Sequence, residues 1–289
     1  MLVASDHAKT YLALMGRNKR TTSAKFLALH PYCCLCGGQV LATTIEHAPP
    51  ISLFLNRNLP SKDHTVPACV RCNNGSRKLD QVATLAALIQ GSATTISDKT
   101  YVESAIEGIK NNIPEALHFF QIEDNIEMDV VIGNSFFELS KVPIDPLLFE
   151  LYLDPWAAKQ AFALYYLKTG KILSEDARVV VRWITNIDVD SENVPTDFID
   201  LLQNDGFLTQ GIKNSAGQFH YRWQLEETYG CFVTTLHGSS MTLLAIYIDS
   251  SDAQKHVNLP VFATNLEKGI HRVSTPWFTV GPHNIPGTT

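Results

Sequence analysis

The sequence lacks the features that would place a chain in a membrane or direct it out of the cell. Its longest apolar runs, such as MTLLAIYI at residues 241–248, are too short to cross a bilayer. The first residues include Asp6, His7 and Lys9, and they lack the apolar core of a secretion signal. We therefore expect a cytoplasmic protein with no membrane partner.

Charge is also scarce, and its sign is unevenly distributed. Charged residues make up 18% of the 289 positions, and the net charge of −6 argues weakly against a nucleic-acid partner. Residues 1–80, however, carry ten basic and four acidic side chains, a balance of +6, so the remainder carries −12. A basic N-terminal segment followed by an acidic remainder indicates that any polyanion would bind at residues 1–80. Hydrophobic residues make up 45%, which excludes global disorder.

Cysteine is rare outside one segment. Five of the six cysteines lie within residues 33–72, and Cys231 stands alone. Clustering in pairs in a cytosolic chain is typical of metal binding, and the alternative is a set of buried free thiols. Two such pairs complete a tetrahedral zinc shell with no open position, which is a structural site. The predicted ligands are Cys33, Cys36, Cys69 and Cys72, with Cys33 preferred to Cys34 because it keeps the two-residue spacing.

Apolar spacing and turn residues predict an α+β protein. We expect helices over residues 6–15, 22–30, about 74–90, 98–122 and 144–170, and in parts of 174–204. We expect strands within residues 39–47, within 128–140 around a Gly-Asn turn, and within 205–280. The small and polar residues at 90–99 predict a boundary near residue 90, which divides the chain into residues 1–90 and 91–289.

An acid and a histidine stand side by side between the two cysteine pairs, in IEHAPP at residues 45–50. Zinc bound by the cysteines would fix the position of this insert, but it does not explain why an acid and a histidine are adjacent at Glu46 and His47. Cleaving a phosphodiester requires a base for water and a cation for the developing charge. A histidine can take the proton, and a carboxylate or amide oxygen can bind an ion such as Mg²⁺. At the end of a strand the two side chains would diverge, one toward metal and one toward water.

These motifs resemble the HNH family of ββα-metal (His-Me finger) endonucleases. In that family an acidic-His pair ends the first strand, and a second metal ligand lies on the helix after the second strand. Many members also bind zinc through two C-x2-C knuckles. The matching motifs are Glu46-His47-Ala48-Pro49-Pro50 and Cys69-Val70-Arg71-Cys72-Asn73. The resemblance covers about residues 30–80, and this chain has Glu46 where Asp is usual and His64 where Asn is usual.

The resemblance implies a role for each matching residue. His47 would be the general base, and His64 would orient it. Glu46 and Asn73 would be oxygen ligands of a catalytic Mg²⁺ or Mn²⁺. Phosphate contacts would come from Arg71, Arg77 and Lys78. The plainer alternatives are that Asn73 is a helix N-cap and that the basic residues are a solvated face.

The expected architecture is a small zinc-stapled ββα-metal nuclease domain at residues 1–90, followed by a larger helical and then antiparallel-β domain at 91–289. The expected function is a metal-dependent endonuclease acting on double-stranded DNA, with defence against foreign DNA suggested by analogy. The alternatives are a non-catalytic zinc-knuckle module that binds nucleic acid or protein, and a toxin-like nuclease acting on RNA. The accessory domain would serve regulation, specificity or oligomerisation, through a homodimer or a regulatory partner.

Overall fold

The structure is a computed structural model that describes ten stretches of the chain. They are residues 23–55, 64–90, 96–120, 126–132, 135–141, 144–173, 177–184, 211–215, 218–237 and 240–247. The helix predicted at 6–15, the helical parts predicted within 185–204 and the strands predicted beyond 247 lie outside the described residues.

The described chain is α+β, as the sequence predicts. Its helices are α1 at residues 23–29, α2 Val70–Gly75, α3 Arg77–Gln90, α4 Ile96–Asn112, α5 Pro114–Leu117, α6 Pro146–Leu148 and α7 Asp154–Thr169. Single turns of 3-10 helix span Cys34–Cys36 and Ile51–Leu53, and a π-helical segment, Phe149–Leu153, joins α6 to α7. The strands are β1 Thr44–His47, β2 Thr65–Ala68, β3 Ile126–Ile132, β4 Ser135–Lys141, β5 Arg178–Ile184, β6 Gly211–Ser215, β7 Phe219–Leu225, β8 Tyr229–Leu236 and β9 Ser240–Tyr247.

A small antiparallel hairpin lies at the centre of the candidate site. Strand β1 pairs with β2 so that His47 faces Thr65 and Thr44 faces Ala68. The Thr44 hydroxyl also donates to the Ala68 carbonyl oxygen at 3.0 Å. Helix α2 begins directly after β2, with Cys69 as its N-cap residue. The strand expected within 39–47 is confirmed as β1, and β2 and α2 complete a strand–strand–helix order over this segment.

Helix α7 lies in the interior of the protein. Every residue from Pro155 to Tyr166 is buried, as expected of a helix that is apolar around nearly its whole circumference. The helix ends at Gly170, which adopts the left-handed conformation that glycine tolerates. One hydrophobic core includes residues on both sides of position 90, from Leu35 and Leu79 to Phe232. The boundary near residue 90 stays a prediction, but the two parts share a core.

Five antiparallel strands form the larger sheet, in the order β5-β9-β8-β7-β6. Helix is expected in parts of residues 174–204, and within that range the described residues 178–184 are strand β5, which pairs with β9. The consecutive β-branched residues Val179, Val180 and Val181 favour a pleated strand over a helix. The strands predicted at 128–140 are confirmed as β3 and β4. None of the helices in the described part of the chain has the length and apolar character that crossing a membrane requires.

Candidate metal centre and active site

The structure brings together the four cysteines that the sequence predicts as metal ligands. Cys33 is the N-cap residue of the first 3-10 turn and Cys36 is its last residue, while Cys69 and Cys72 lie at the start of α2. Their four sulfur atoms lie within 4.8 Å of one another, and all four residues are buried. Tetrahedral zinc with Zn–S bonds of about 2.3 Å separates its sulfur ligands by about 3.8 Å, so modest contraction would close the shell. The cluster can therefore hold a metal ion such as zinc.

Contacts among the four thiols shift their pKa values in opposite directions. Hydrogen bonds from Cys33 and Cys72 lower the pKa of Cys36 to about 2, and a bond from Cys72 lowers the pKa of Cys69 to about 6. Hydrogen bonding within the cluster raises the pKa of Cys33 to about 12 and also raises the pKa of Cys72. Four thiolates this close repel one another unless a cation lies between them. Cys34 is also buried, and burial raises the pKa of its thiol.

Glu46 and His47 are the last two residues of β1. The Glu46 side chain is on the buried face of the hairpin with only 7% of the residue exposed, and His47 is half-buried on the other face. The Glu46 Oε1 atom accepts a hydrogen bond from the backbone N–H of His47 at 2.7 Å. The side chains of the pair therefore diverge at the strand end, which is the geometry expected for separate metal and water sites.

Asn73 lies inside α2 and reaches back to β1. Its amide nitrogen donates to the Thr44 hydroxyl at 3.2 Å and to the Ile45 carbonyl oxygen at 3.1 Å. The N-cap alternative for Asn73 is wrong, because Cys69 occupies that position and its sulfur accepts from the backbone N–H of Cys72. The amide oxygen of Asn73 is not used in these two contacts, so an oxygen ligand remains available beside the strand.

His64 is fully buried just before β2 and contacts the backbone that follows His47. Its Nδ1 atom lies 3.2 Å from the Ala48 carbonyl oxygen, and the Ala48 N–H donates to the His64 carbonyl oxygen at 2.8 Å. Its Nε2 atom lies 2.8 Å from the Ser215 hydroxyl on β6. His64 therefore ties the end of β1 to the five-stranded sheet.

A buried lysine that the sequence reasoning missed contacts the acidic residue of the pair. Lys159 on α7 is fully buried, and its Nζ atom lies 2.9 and 2.8 Å from the two carboxylate oxygens of Asp80 on α3. The same atom lies 3.4 Å from Oε2 of Glu46. The available signal was a single charged residue in the mostly apolar segment PWAAKQAFALYY, because a buried ammonium requires carboxylate partners.

Burial and neighbouring charges shift the pKa values of Asp80 and Lys159. Burial raises the pKa of Asp80 to about 6, with the Lys159 ammonium opposing that rise and the Glu46 carboxylate adding to it. Burial alone would lower the pKa of Lys159, but the two carboxylates outweigh it and the pKa lies above its usual value. Lys159 is therefore an ammonium at neutral pH, and it occupies one side of Glu46.

The predicted phosphate-binding residues lie on or beside the first turns of the helices after β2. Arg71 on α2 and Arg77 at the start of α3 are exposed. Lys78 is half-buried, and its Nζ atom lies 3.5 Å from the Glu115 carboxylate at the protein surface. The two arginines are open to a polyanion, whereas Lys78 already has an acidic neighbour.

No protein-family model, curated protein or solved structure matches this chain. The case for an activity therefore depends on the residues themselves and on their arrangement.

Proposed function

We propose that the chain is an HNH-type, divalent-metal-dependent endonuclease that hydrolyses phosphodiester bonds in DNA. The observation that carries this proposal is the arrangement of Glu46, His47 and Asn73. An acid and a histidine end one strand of a hairpin, and an amide side chain from the following helix is hydrogen-bonded to that strand. The four-cysteine cluster joins the 3-10 turn that precedes the hairpin to that helix and would hold the arrangement with zinc.

In this proposal each of the three side chains has a separate chemical role. The His47 imidazole takes a proton from the attacking water. The Glu46 carboxylate and the Asn73 amide oxygen would bind one Mg²⁺ or Mn²⁺, which stabilises negative charge on the phosphate when bound. Residues 1–90 would form the ββα-metal part and residues 91–289 the accessory part. Exposed Arg71 and Arg77 would bind DNA phosphates.

One observation favours a second candidate, a non-catalytic zinc-knuckle module that binds nucleic acid. Both Glu46 oxygens already have partners, the His47 N–H and the Lys159 ammonium. A divalent ion at Glu46 would lie near this ammonium and be repelled by it. An ionised carboxylate has about four lone-pair sites, however, so these contacts leave room for a metal bond.

Metal dependence tests the proposal and separates the two candidates. Purified protein would be incubated with supercoiled plasmid in buffer without divalent ions, then with Mg²⁺ or Mn²⁺, with its zinc content measured before and after. The nuclease proposal predicts nicked or linear plasmid only with the added ion, at constant zinc content. DNA binding without cleavage in every buffer would favour the non-catalytic module. A single-stranded RNA substrate in parallel would show whether RNA is cleaved instead.

A further inference from the structure

One end of the five-stranded sheet presents three side chains that are linked through their backbones. Ser215 ends β6, Gln218 lies in the turn before β7, and His237 directly follows β8. The Gln218 N–H donates to the Ser215 carbonyl oxygen at 3.1 Å, and the His237 N–H donates to the Gln218 carbonyl oxygen at 2.8 Å. His237 has a positive φ of 49°, which is uncommon for a residue other than glycine. We call these three residues the sheet-end trio.

Two members of the trio bind the backbone of the segment after His47, residues 48–55. The Gln218 Oε1 atom accepts from the Leu55 N–H at 2.6 Å. The His237 Nε2 atom lies 2.8 Å from the Leu53 carbonyl oxygen. A carbonyl oxygen only accepts, so we infer that His237 carries a proton on Nε2. These contacts join positions more than 160 residues apart in the sequence.

The third member, Ser215, acts through His64. The Ala48 carbonyl oxygen can only accept, so the proton on the His64 ring lies on Nδ1. In the neutral ring Nε2 is then an acceptor, and the Ser215 hydroxyl is the donor that faces it. Both side chains are buried, with exposures of 0% and 2%. The Ser215 hydroxyl can donate to Nε2, so it anchors the ring in the tautomer that the Ala48 carbonyl oxygen selects.

We propose that Ser215, Gln218 and His237 are positioning residues for the candidate active site. They fix the 48–55 segment at both of its ends, and through it the backbone of His47. In this proposal the five-stranded sheet helps to position the general base, His47. This inference rests on the proposed nuclease function for its catalytic consequence, whereas the hydrogen bonds themselves can be tested without activity.

The first experiment is an NMR measurement on the full chain. The ¹⁵N shifts of the His64 ring should report the neutral Nδ1–H tautomer in the wild-type protein. Hydrogen exchange at the Leu55 amide should be slow, and it should become at least tenfold faster in Gln218→Ala. The control is Gln224→Ala, near the other end of β7, which should leave Leu55 unchanged. An Nε2–H tautomer at His64, or unchanged Leu55 exchange in Gln218→Ala, would overturn the proposal.

The second experiment measures the consequence for catalysis. Ser215→Ala and Gln218→Ala should each lower kcat on plasmid by about 10- to 100-fold, because small misplacements of a catalytic group cost rates of this order. The KM for DNA should stay constant, and Ser215→Thr should retain most of the activity because it keeps the hydroxyl. Gln218 is only half-buried, so the Gln218→Ala variant is expected to fold. A kcat for this variant equal to that of the wild type would refute the positioning role. If the wild-type protein cleaves nothing, the nuclease proposal fails and the NMR results still decide on the hydrogen bonds.

Discussion

Cys33 and Cys34 are adjacent residues of the same type, both fully buried, yet the fold separates their sulfur atoms into different surroundings. The Cys33 sulfur belongs to the four-sulfur cluster, whereas the Cys34 sulfur is not a member of it. The spacing rule that favoured Cys33 therefore agrees with the geometry.

The adjacent pair supplies a matched test of the metal centre. We expect about one zinc per chain in wild-type protein and in Cys34→Ala, and less than a tenth of that in Cys33→Ala. Elemental analysis of the purified variants, together with their thermal unfolding, measures this. Equal zinc content in the two variants would contradict the assignment of the four ligands.

At the scale of elements, local pattern predicted much of the fold. Helix α3 follows from the helical spacing of its apolar residues, and β3 and β4 follow from β-branched and aromatic residues around Gly-Asn. The segment that became β5 was harder, because its apolar run carries no alternation to separate a buried strand from a buried helix.

Contacts between elements could not be predicted in the same way. Lys159 meets Asp80 across 79 sequence positions, and His64 meets Ser215 across 151. A histidine or lysine that becomes buried needs hydrogen-bonding or charged partners. The periodicity of the sequence does not identify which residues those partners are. The candidate site was therefore predicted as far as the hairpin and its helix, and its contacts with α7 and the sheet were not.

The charges on α7, α3 and β1 give a prediction about stability. Lys159→Met should destabilise the protein by about 3–5 kcal/mol, because it leaves two buried carboxylates without their cation. Adding Asp80→Asn should recover part of the loss, since one of those charges is then removed. Chemical denaturation measures both variants beside Lys171→Met, an exposed control expected to change stability by less than about 0.5 kcal/mol. A Lys159→Met loss no larger than that of the control would mean that the charges are not coupled.

At the scale of the whole molecule, the segment that holds the cysteine cluster and the β1–β2 hairpin shares its core with the rest of the chain. Leu35 and Leu79 belong to the same hydrophobic cluster as Trp156 and Phe219, and α7 supplies the cation for Glu46. Removing residues 91–289 would expose that apolar surface and leave Glu46 and Asp80 without the Lys159 ammonium.

We therefore expect residues 1–90 alone to fail to fold in the presence of zinc. Circular dichroism and limited proteolysis would show a largely unfolded chain, in contrast to the full-length protein. A fragment with a cooperative thermal transition would contradict this expectation and would show that the shared core is dispensable.

The most direct test of the central claim compares two histidines on plasmid DNA with Mg²⁺ or Mn²⁺. His47 ends β1 beside Glu46, whereas His118 is exposed at the end of α5 and belongs to no proposed site. We predict that His47→Ala lowers the cleavage rate at least 100-fold with unchanged zinc content and DNA binding, and that His118→Ala cleaves like the wild type. Equal cleavage by His47→Ala and the wild type would contradict the account, because it would place the reaction elsewhere or in a contaminant.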